Sequence, residues 1–548
     1  MGSGTQGMRK ASLIFFLIVL WHSTAFAQEG LQQVRINDFS GGQNSNALAD
    51  LLTPNQGTSV SNVSISRPGK ATKRKGQGVF IQDVGSTPFT GLGRYDPEIG
   101  SSYIVVASGS SIVTAVSTAS LWTPINLASP LSVNVNRTEF VQANDLFFIL
   151  NGVDNTAWYD GSIFTLGNGY DNASPPRGTT AAWVNNRLFV AGDTSNPDWV
   201  YFSNSIEPRT FQANNIRRVN TGDGQIIQHL EPFRLNEVVI YKERSIYILD
   251  LTDDGADGDA TDDWSIQPIS NSVGLAAPRA IVNLGNDQWF LSSNPIAIRS
   301  LGRTAFDKIL VDIVSRSIQD IFDCTGPLCI NKEQIELATA TVFENKFFLA
   351  IPTGSSTINN TVLVFDFLVG GWYVITDWFP ADWVVFDNRL FYIDALDGRV
   401  MECFKDTGGD FASGPSVTTP ASTPTVGIRF EYATKAVDFG LPENFKQLDS
   451  IEVELEPTGS YNAIVSINMD DSGWASVGSV SLAGTVKTLP QTLPLTFSGP
   501  GIARKTFQLQ EYGEFKKIQV KVTQNILGED ISLQRISIFA RIKPWRRQ

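Results

Sequence analysis

The sequence predicts an all-β fold: a β-propeller of six or seven blades with one inserted helix, followed by a C-terminal β-sandwich. Turn-forming Gly and Pro number 46 and 26 among 548 residues, and aromatic residues make up 11% of the chain. A unit of apolar strand, Asn-centred turn and aromatic-rich strand recurs through the central part of the chain. The last stretch of about 120 residues alternates apolar and polar residues with a period of two, which is typical of a sandwich.

The N-terminal residues 1–27 have the layout of a secretory signal. Two basic residues precede a short apolar run, Leu13–Trp21, and a small-x-small cleavage site follows with Ala25 and Ala27. The apolar run is too short for a comfortable membrane-spanning helix, and no later segment supplies one. The alternative is an uncleaved apolar arm that packs on a partner. Residues 28–80 are expected to form an N-terminal arm and the first strands.

Residues 81–406 carry the repeat that predicts the propeller. Its turns are centred on asparagine, which tolerates the positive φ of tight hairpins. Most units continue into a second hairpin, so each supplies about four strands per 40–50 residues, as a propeller blade does. The predicted blade turns are centred on Asn144, Asn186, Asn236, Asn286, Asn345 and Asn388.

An inserted helix is predicted over residues 304–322. Apolar side chains recur there at helical spacing, Thr304 can cap the start, and a Gly-Pro pair follows the end. The apolar stripe includes Phe306, Ile313 and Val314, which are the candidate subunit-interface residues. The alternative is that the stripe packs on the propeller's own edge.

An acidic loop between the blade turns at Asn236 and Asn286 is the candidate metal site. Its carboxylates resemble a calcium-binding loop in composition, but their spacing does not match the helix-loop-helix pattern. A solvated loop is therefore expected, with bound Ca²⁺ as the alternative, and no other cofactor is predicted. The carboxylates are those of Asp253, Asp257, Asp259 and Asp262.

The cysteines do not indicate a metal site. Cys324 and Cys329 flank a Gly-Pro turn, where a small disulfide loop and a reduced buried pair are both compatible with the sequence. Without a CxxC motif or a second pair, structural zinc is not expected.

Residues 407–425 are rich in Gly, Ser, Thr and Pro and are predicted to form a linker to the sandwich, residues 426–548. Basic residues cluster before the propeller, in residues 67–75, and at the extreme C-terminus. Both clusters are expected to be solvated or to dock against an acidic neighbour. Contact with nucleic acid is the alternative.

Composition and motifs argue against enzymatic function. The chain has two histidines, and the segment around His229 is apolar, which is more typical of a core histidine than of a catalytic base. Phosphate-binding, zinc-protease, nucleophile-elbow and dinucleotide motifs are absent from the sequence. The net charge of −13 provides no global attraction to nucleic acid or anionic membranes. Catalysis by paired carboxylates, as in glycosidases, is the one enzyme class that the composition does not exclude.

The order of several short motifs resembles that of a bacteriophage short-tail nozzle, a tail-tube-like β-propeller protein. The similarity extends over nearly everything after Val34. The motifs include Asp38–Gly42 (DFSGG), Asn62-Val63, Arg67-Pro68-Gly69, the KRKG of residues 73–76, and downstream VLVFDFLVGGWY, residues 362–373, and RISIFARIKP, residues 535–544.

The resemblance implies a structural virion protein of the tail rather than an enzyme. Such proteins form a ring, typically hexameric, attached to the phage portal and adaptor and to distal tail proteins. DNA leaves through the ring without sequence-specific binding. The signal-like N-terminus favours a different class: a secreted or periplasmic propeller that binds or hydrolyses cell-surface glycans.

Overall fold

A computed structural model of the chain describes most of the residues. The described ranges are 30–65, 69–81, 89–119, 121–127, 131–132, 137–252, 263–303, 309–411, 425–456, 461–482 and 503–544. The predicted signal cleavage residues Ala25 and Ala27 and the acidic residues Asp253, Asp257, Asp259 and Asp262 lie outside these ranges.

Five strands precede the propeller: β1 (Leu31–Ile36), β2 (Gly57–Ser61), β3 (Val63–Ser64), β4 (Ala71–Lys73) and β5 (Gly76–Ile81). Five blades then follow in chain order. Blade 1 consists of β6 (Phe89–Tyr95), β7 (Tyr103–Ser108), β8 (Ser111–Ala115) and β9 (Thr123–Pro124), and blade 2 of β10 (Glu139–Ala143), β11 (Leu146–Leu150), β12 (Ala157–Tyr159) and β13 (Phe164–Leu166). Blade 3 consists of β14 (Thr180–Val184), β15 (Arg187–Ala191), β16 (Trp199–Phe202) and β17 (Ile216–Arg218), and blade 4 of β18 (Ile227–Phe233), β19 (Glu237–Lys242), β20 (Ile246–Asp250) and β21 (Ser265–Ser270). Blade 5 consists of β22 (Ile281–Asn283), β23 (Asp287–Ser293), β24 (Ile296–Arg303) and β25 (Ile309–Ile313).

Two further four-stranded units complete the ring. Blade 6 consists of β26 (Thr339–Phe343), β27 (Lys346–Ile351), β28 (Thr361–Asp366) and β29 (Gly371–Thr376). Blade 7 consists of β30 (Pro380–Phe386), β31 (Arg389–Asp394) and β32 (Val400–Lys405), with the N-terminal β5 as its outermost strand. Six blades are separate four-stranded sheets, and blade 6 belongs to a nine-stranded sheet. The first strands of successive blades contact one another around a closed circle, which confirms the predicted propeller.

Asparagine occupies the first turn of most blades, as the repeat predicts. Asn144, Asn186, Asn345 and Asn388 all have left-handed backbone angles, with φ between 54° and 58°, in the turn between the first and second strands. Asn236 and Asn286 lie in the corresponding turns of blades 4 and 5. There Arg234 and Gly285 adopt the positive φ instead, at 57° and 86°.

Replacing Asn345 by valine is expected to lower the free energy of unfolding by about 1–2 kcal/mol, because a β-branched residue is strained at left-handed φ. Asn345→Gly is the matched control and should stay within about 0.5 kcal/mol of the wild type. Urea unfolding of both variants checks the prediction, and equal destabilisation by both would contradict it.

The helix predicted over residues 304–322 is wrong for Ile309–Ile313 and is confirmed only at its end, in Gln319–Asp323; residues 304–308 lie outside the described ranges. Ile309–Ile313 forms strand β25, which pairs antiparallel with β24. Helical structure is confined to a 3-10 turn, Arg316–Ile318, and to α1 (Gln319–Asp323). The β-branched residues of Ile309–Ile313 suit a strand, and β24 offers an edge with which this segment pairs. Other 3-10 turns span Tyr170–Asn172 and Lys332–Leu337.

The candidate interface residues on the predicted helix lie in different environments. Phe306 lies outside the described residues. Ile313 is half-buried in β25, and Val314 packs against the apolar core between blades 5 and 6. For Val314 the structure therefore supports the alternative, internal packing.

The predicted C-terminal β-sandwich is confirmed. Its strands are β33 (Phe430–Thr434), β34 (Lys446–Leu455), β35 (Asn462–Met469), β36 (Ala475–Ser481), β37 (Ala503–Gln508), β38 (Glu514–Phe515), β39 (Ile518–Gln524) and β40 (Ser532–Ile542). One sheet runs β3-β4-β40-β34-β37, with β1 on β40 and β38 on β34. The other, β2-β33-β39-β35-β36, continues the sheet of blade 6 because β2 pairs in parallel with β29.

The N-terminal arm is thus part of the two domains that follow it. Strands β1 to β4 belong to the sandwich, and β5 closes blade 7. The arm side chains Ile36, Phe39, Val60, Val63 and Ile65 are buried in the sandwich core. Sandwich and propeller are consequently joined by shared sheets as well as by the linker.

Candidate functional site

A polar cavity of about 200 Å³ lies where the first strands of several blades meet. Its charged and titratable lining residues are Arg137, Glu139, His229, Glu231, Arg279 and Asp382. A second cavity, of about 350 Å³, is lined by Phe89 and Ala381 at the starts of β6 and β30. Arg137 and Arg279 line both cavities, so their guanidinium groups are the main candidates for ligand contact.

Arg279 ties several blades together across this cavity. Its Nη1 lies 3.1 Å from Oδ2 of Asp382 in blade 7. Its Nη2 donates to the carbonyl oxygens of Thr90 in blade 1 and of Thr138, which precedes blade 2. Burial lowers the pKa of Arg279, while Asp382 opposes that effect. These contacts give Arg279 a structural role, because they link blades 1, 5 and 7.

Each acidic side chain of the cavity has a basic partner. Glu139 forms an ion pair with Arg137, and Oε2 of Glu231 lies 2.9 Å from Nε2 of His229. Among the lining residues that the structure describes there is no serine or cysteine to serve as a nucleophile. Two carboxylates of a glycosidase pair could come from this set, because they line one cavity.

His229 is a buried side chain, as the apolar sequence around it predicts. Its Nδ1 lies 3.5 Å from Oγ1 of Thr180, which is itself fully buried and accepts a hydrogen bond from Leu230 N–H. The arrangement fixes the imidazole between two blades. The hydroxyl of Thr180 is fully buried and therefore cannot contact a substrate.

Several of the short motifs noted in the sequence meet at one place, between blade 6 and the sandwich. The ring of Phe39 packs edge-on against Tyr432, with centroids 4.9 Å apart. Gln43 N–H donates to the carbonyl of Trp372 at 2.7 Å. Gly42 has a φ of 64°, and a Cβ there would lie 2.6 Å from that carbonyl oxygen, so only glycine fits. We call this region the joint. It consists of Asp38–Gln43, Trp372 and Tyr432, together with Asn62 and Arg74, which are described next.

Arg74 is the most completely buried cation of the joint. Its guanidinium makes a bidentate pair with Asp410, with Nη1 and Oδ1 3.0 Å apart, and both side chains are 1% exposed. Nε donates to Oδ1 of Asn62 at 2.8 Å, and the ring of Trp378 lies 4.7 Å from the guanidinium carbon. Asn62 N–H in turn donates to the carbonyl of Val374 in blade 6. One side chain thereby links arm, propeller and the start of the linker.

Asp38 of the joint gives a pH-dependent prediction. Partial burial raises the pKa of its carboxyl, but hydrogen bonds from Ser40 and Gly69 outweigh this and hold the pKa below 3.8. The ionised form therefore stabilises the fold above about pH 4, and this contribution is lost as the pH falls through the lower folded pKa.

Asp38→Asn should accordingly be less stable than the wild type at pH 7, with the difference shrinking toward zero near pH 2. Asp50→Asn, which removes an exposed carboxylate of the same arm, is the control. Thermal unfolding across this pH range measures the difference. A stability gap that stays constant with pH would contradict the account.

The remaining predicted sites have varied outcomes. Cys324 and Cys329 are joined by a disulfide bond. In the basic cluster of residues 67–75, Lys73 and Arg74 are buried in hydrogen-bonded contacts and do not contribute to a solvated surface. Within the described residues, no group of three or more His, Cys, Asp or Glu is placed to hold a metal ion. No helix of the described part is both long and apolar enough to cross a membrane.

The solved structures described below match this chain at 7–11% sequence identity. No protein-family model matches the sequence, and no curated protein matches it. Among solved structures, the extracellular domain of a hybrid two-component system from B. thetaiotaomicron matches with a TM-score of 0.40 and 7% identity. That match covers 60% of this chain and only 40% of the other.

Two other solved structures are matched over most of their length. YCF48 bound to a D1 peptide has a TM-score of 0.35 and 10% identity, over 64% of this chain and 100% of that one. An exo-β-1,3-galactanase from Phanerochaete chrysosporium has a TM-score of 0.25 and 11% identity, over 66% of this chain and 95% of that one.

Proposed function

We propose that this protein is a structural virion protein, a nozzle-like ring component attached to the portal and adaptor of a short-tailed bacteriophage, through which DNA leaves. The observation that supports this is the joint. The DFSGG, Asn62-Val63 and KRKG motifs of the arm, which help to carry the resemblance, meet there with GGWY of residues 370–373, which is far from them in sequence. They are used to build a subunit, not to form a reactive site.

The architecture suits a load-bearing ring subunit. The arm, blade 6 and the sandwich share one continuous sheet, and β5 covers the outer edge of blade 7. Such sharing removes free sheet edges and opposes bending between the domains. DNA would pass through the lumen of the assembled ring. The axis of the single propeller is crossed by Arg279 and its partners, and an acidic subunit repels the DNA backbone.

A second candidate function, a secreted propeller that binds or hydrolyses glycans, is favoured by two specific observations. The cavity gathers Glu139, Glu231 and Asp382 at one place. The disulfide between Cys324 and Cys329 is typical of oxidising compartments, in agreement with the signal-like N-terminus.

Sedimentation velocity combined with a glycan-hydrolysis panel separates the two candidates. The nozzle proposal expects the purified full chain to sediment as a homo-oligomer, alone or with the portal and adaptor, and to release no reducing sugar. Glu139→Gln should leave assembly unchanged. A monomer that hydrolyses a glycan, and loses this activity in Glu139→Gln, would overturn the nozzle proposal and establish the second candidate.

A further inference from the structure

One face of the propeller carries its most exposed aliphatic side chains. Because neighbouring strands of a blade are antiparallel, the first turn of each blade and the described third turns of blades 1–4 and 6 lie on this same face, which we call the turn face. Six large aliphatic residues there are 62% to 90% exposed: Ile99, Leu121, Ile163, Ile206, Leu235 and Leu368. Of the described residues on the opposite face, only Val153 and Leu337 are comparable, at 47% and 39%.

The turn face is also acidic. Its described turns hold eight carboxylates and two arginines, Arg209 and Arg234. The carboxylates are those of Asp96, Glu98, Asp145, Asp160, Glu207, Asp263, Glu344 and Asp387. Two copies meeting face to face would place like charges together, which is unfavourable. The surface that covers the turn face should therefore combine apolar side chains with positive charge.

The outer face of the sandwich provides such a surface. Ile464 of β35 pairs with Thr523 of β39, and Lys521 pairs with Ser466, so Ile464 and Lys521 share the outer face. The ring of Trp474 lies 4.4 Å from Nζ of Lys521. Ile464 and Trp474 are 46% and 39% exposed. We call Ile464, Trp474 and Lys521 the Trp474 surface.

The two surfaces differ in chemistry. The large exposed apolar side chains described on the propeller are aliphatic, whereas the exposed aromatic ones, Phe445, Tyr461, Trp474 and Tyr512, all belong to the sandwich. Acids close to the Trp474 surface are already paired: Glu431, opposite Thr523 of β39, pairs with Arg429 at 3.3 Å, and Asp471 pairs with Lys517 at 2.6 Å. Lys521 is thus available to an outside carboxylate.

We propose that the turn face of one copy binds the Trp474 surface of the next copy. The inference rests on the self-assembly in the proposed function and identifies the interface that produces it. Since the two surfaces are different, the contact is heterologous, and repetition of such a contact closes a ring when the rotation between copies permits. Aliphatic turn tips meet Trp474 and Ile464, and turn carboxylates meet Lys521.

Two double variants test this pairing. Leu235→Asp with Leu368→Asp disables the turn face, and Ile464→Asp with Lys521→Glu disables the Trp474 surface. All four residues lie at least partly exposed, and circular dichroism confirms that each variant is folded. By mass photometry, each variant alone should be monomeric. A 1:1 mixture should form a heterodimer and nothing larger, because each partner contributes one intact surface.

Single variants away from the two surfaces serve as controls. Val153→Asp on the opposite face and Leu527→Asp elsewhere on the sandwich should assemble like the wild type. Assembly of either double variant alone, or a mixture that stays monomeric while the wild type assembles, overturns this interface and leaves the proposed function standing. A wild type that stays monomeric at every concentration, alone and with portal and adaptor, overturns both.

Discussion

Replacing Arg74 by methionine is expected to lower the free energy of unfolding by about 3–5 kcal/mol, since removing one partner of a buried ion pair leaves the other charge uncompensated. Asp410 is 1% exposed and would lose both hydrogen bonds from the guanidinium. Asn62 would lose the donor to its Oδ1, and Trp378 its cationic neighbour.

The matched control for Arg74 is Arg316→Met. Arg316 also pairs with an aspartate, Asp312 at 2.8 Å, but the two side chains are 74% and 69% exposed. An exposed pair of this kind contributes about 0–1 kcal/mol. Chemical denaturation of both variants measures the contrast. Similar losses of stability in both would show that Arg74 is not the central contact of the joint.

Removal of the arm should have a still larger effect: a chain that begins at Gln82 is expected not to fold. It lacks β1 to β5, and with them five large side chains of the sandwich core: Ile36, Phe39, Val60, Val63 and Ile65. Full burial of each contributes roughly 1.5–3 kcal/mol, and their sum is comparable with the entire net stability of about 5–15 kcal/mol for a domain. The outer edge of blade 7 would also be left unpaired.

A peptide of residues 30–81 added in trans should restore the fold, because it supplies the strands that complete the two sandwich sheets and blade 7. A chain that begins at Gly30 is the control and should match the full chain. Near-ultraviolet circular dichroism and proteolysis report the outcome. A truncated chain with the spectrum and protease resistance of the full chain would contradict the assignment of the arm to the two domains.

The propeller could be predicted because its signals are local. An Asn turn and its two flanking strands fall within about a dozen residues, and the positive φ of Asn345 or Asn388 follows from the turn type alone. The segment at Ile309–Ile313 was not predictable in the same way. Its apolar residues fit helical and strand spacing equally, and the pairing with β24 decides between them.

The joint and the polar cavity at the first strands of the blades could not be predicted, because both depend on contacts between residues far apart in sequence. Arg74 and Asp410 are 336 residues apart, and nothing near either residue identifies its partner. Arg279 and Asp382 come from blades 5 and 7 and meet only after the ring closes. The sequence singled out the KRKG motif of the joint, but its cations suggested a surface patch, whereas Lys73 and Arg74 are buried.

Single-particle electron microscopy of the purified full-length protein, alone and with the portal and adaptor, tests the nozzle proposal most directly. The account predicts closed rings of identical subunits. Each subunit should show a propeller joined rigidly to a sandwich, around an opening wide enough for duplex DNA. Isolated single propellers under all of these conditions, in a preparation that hydrolyses a glycan, would contradict it.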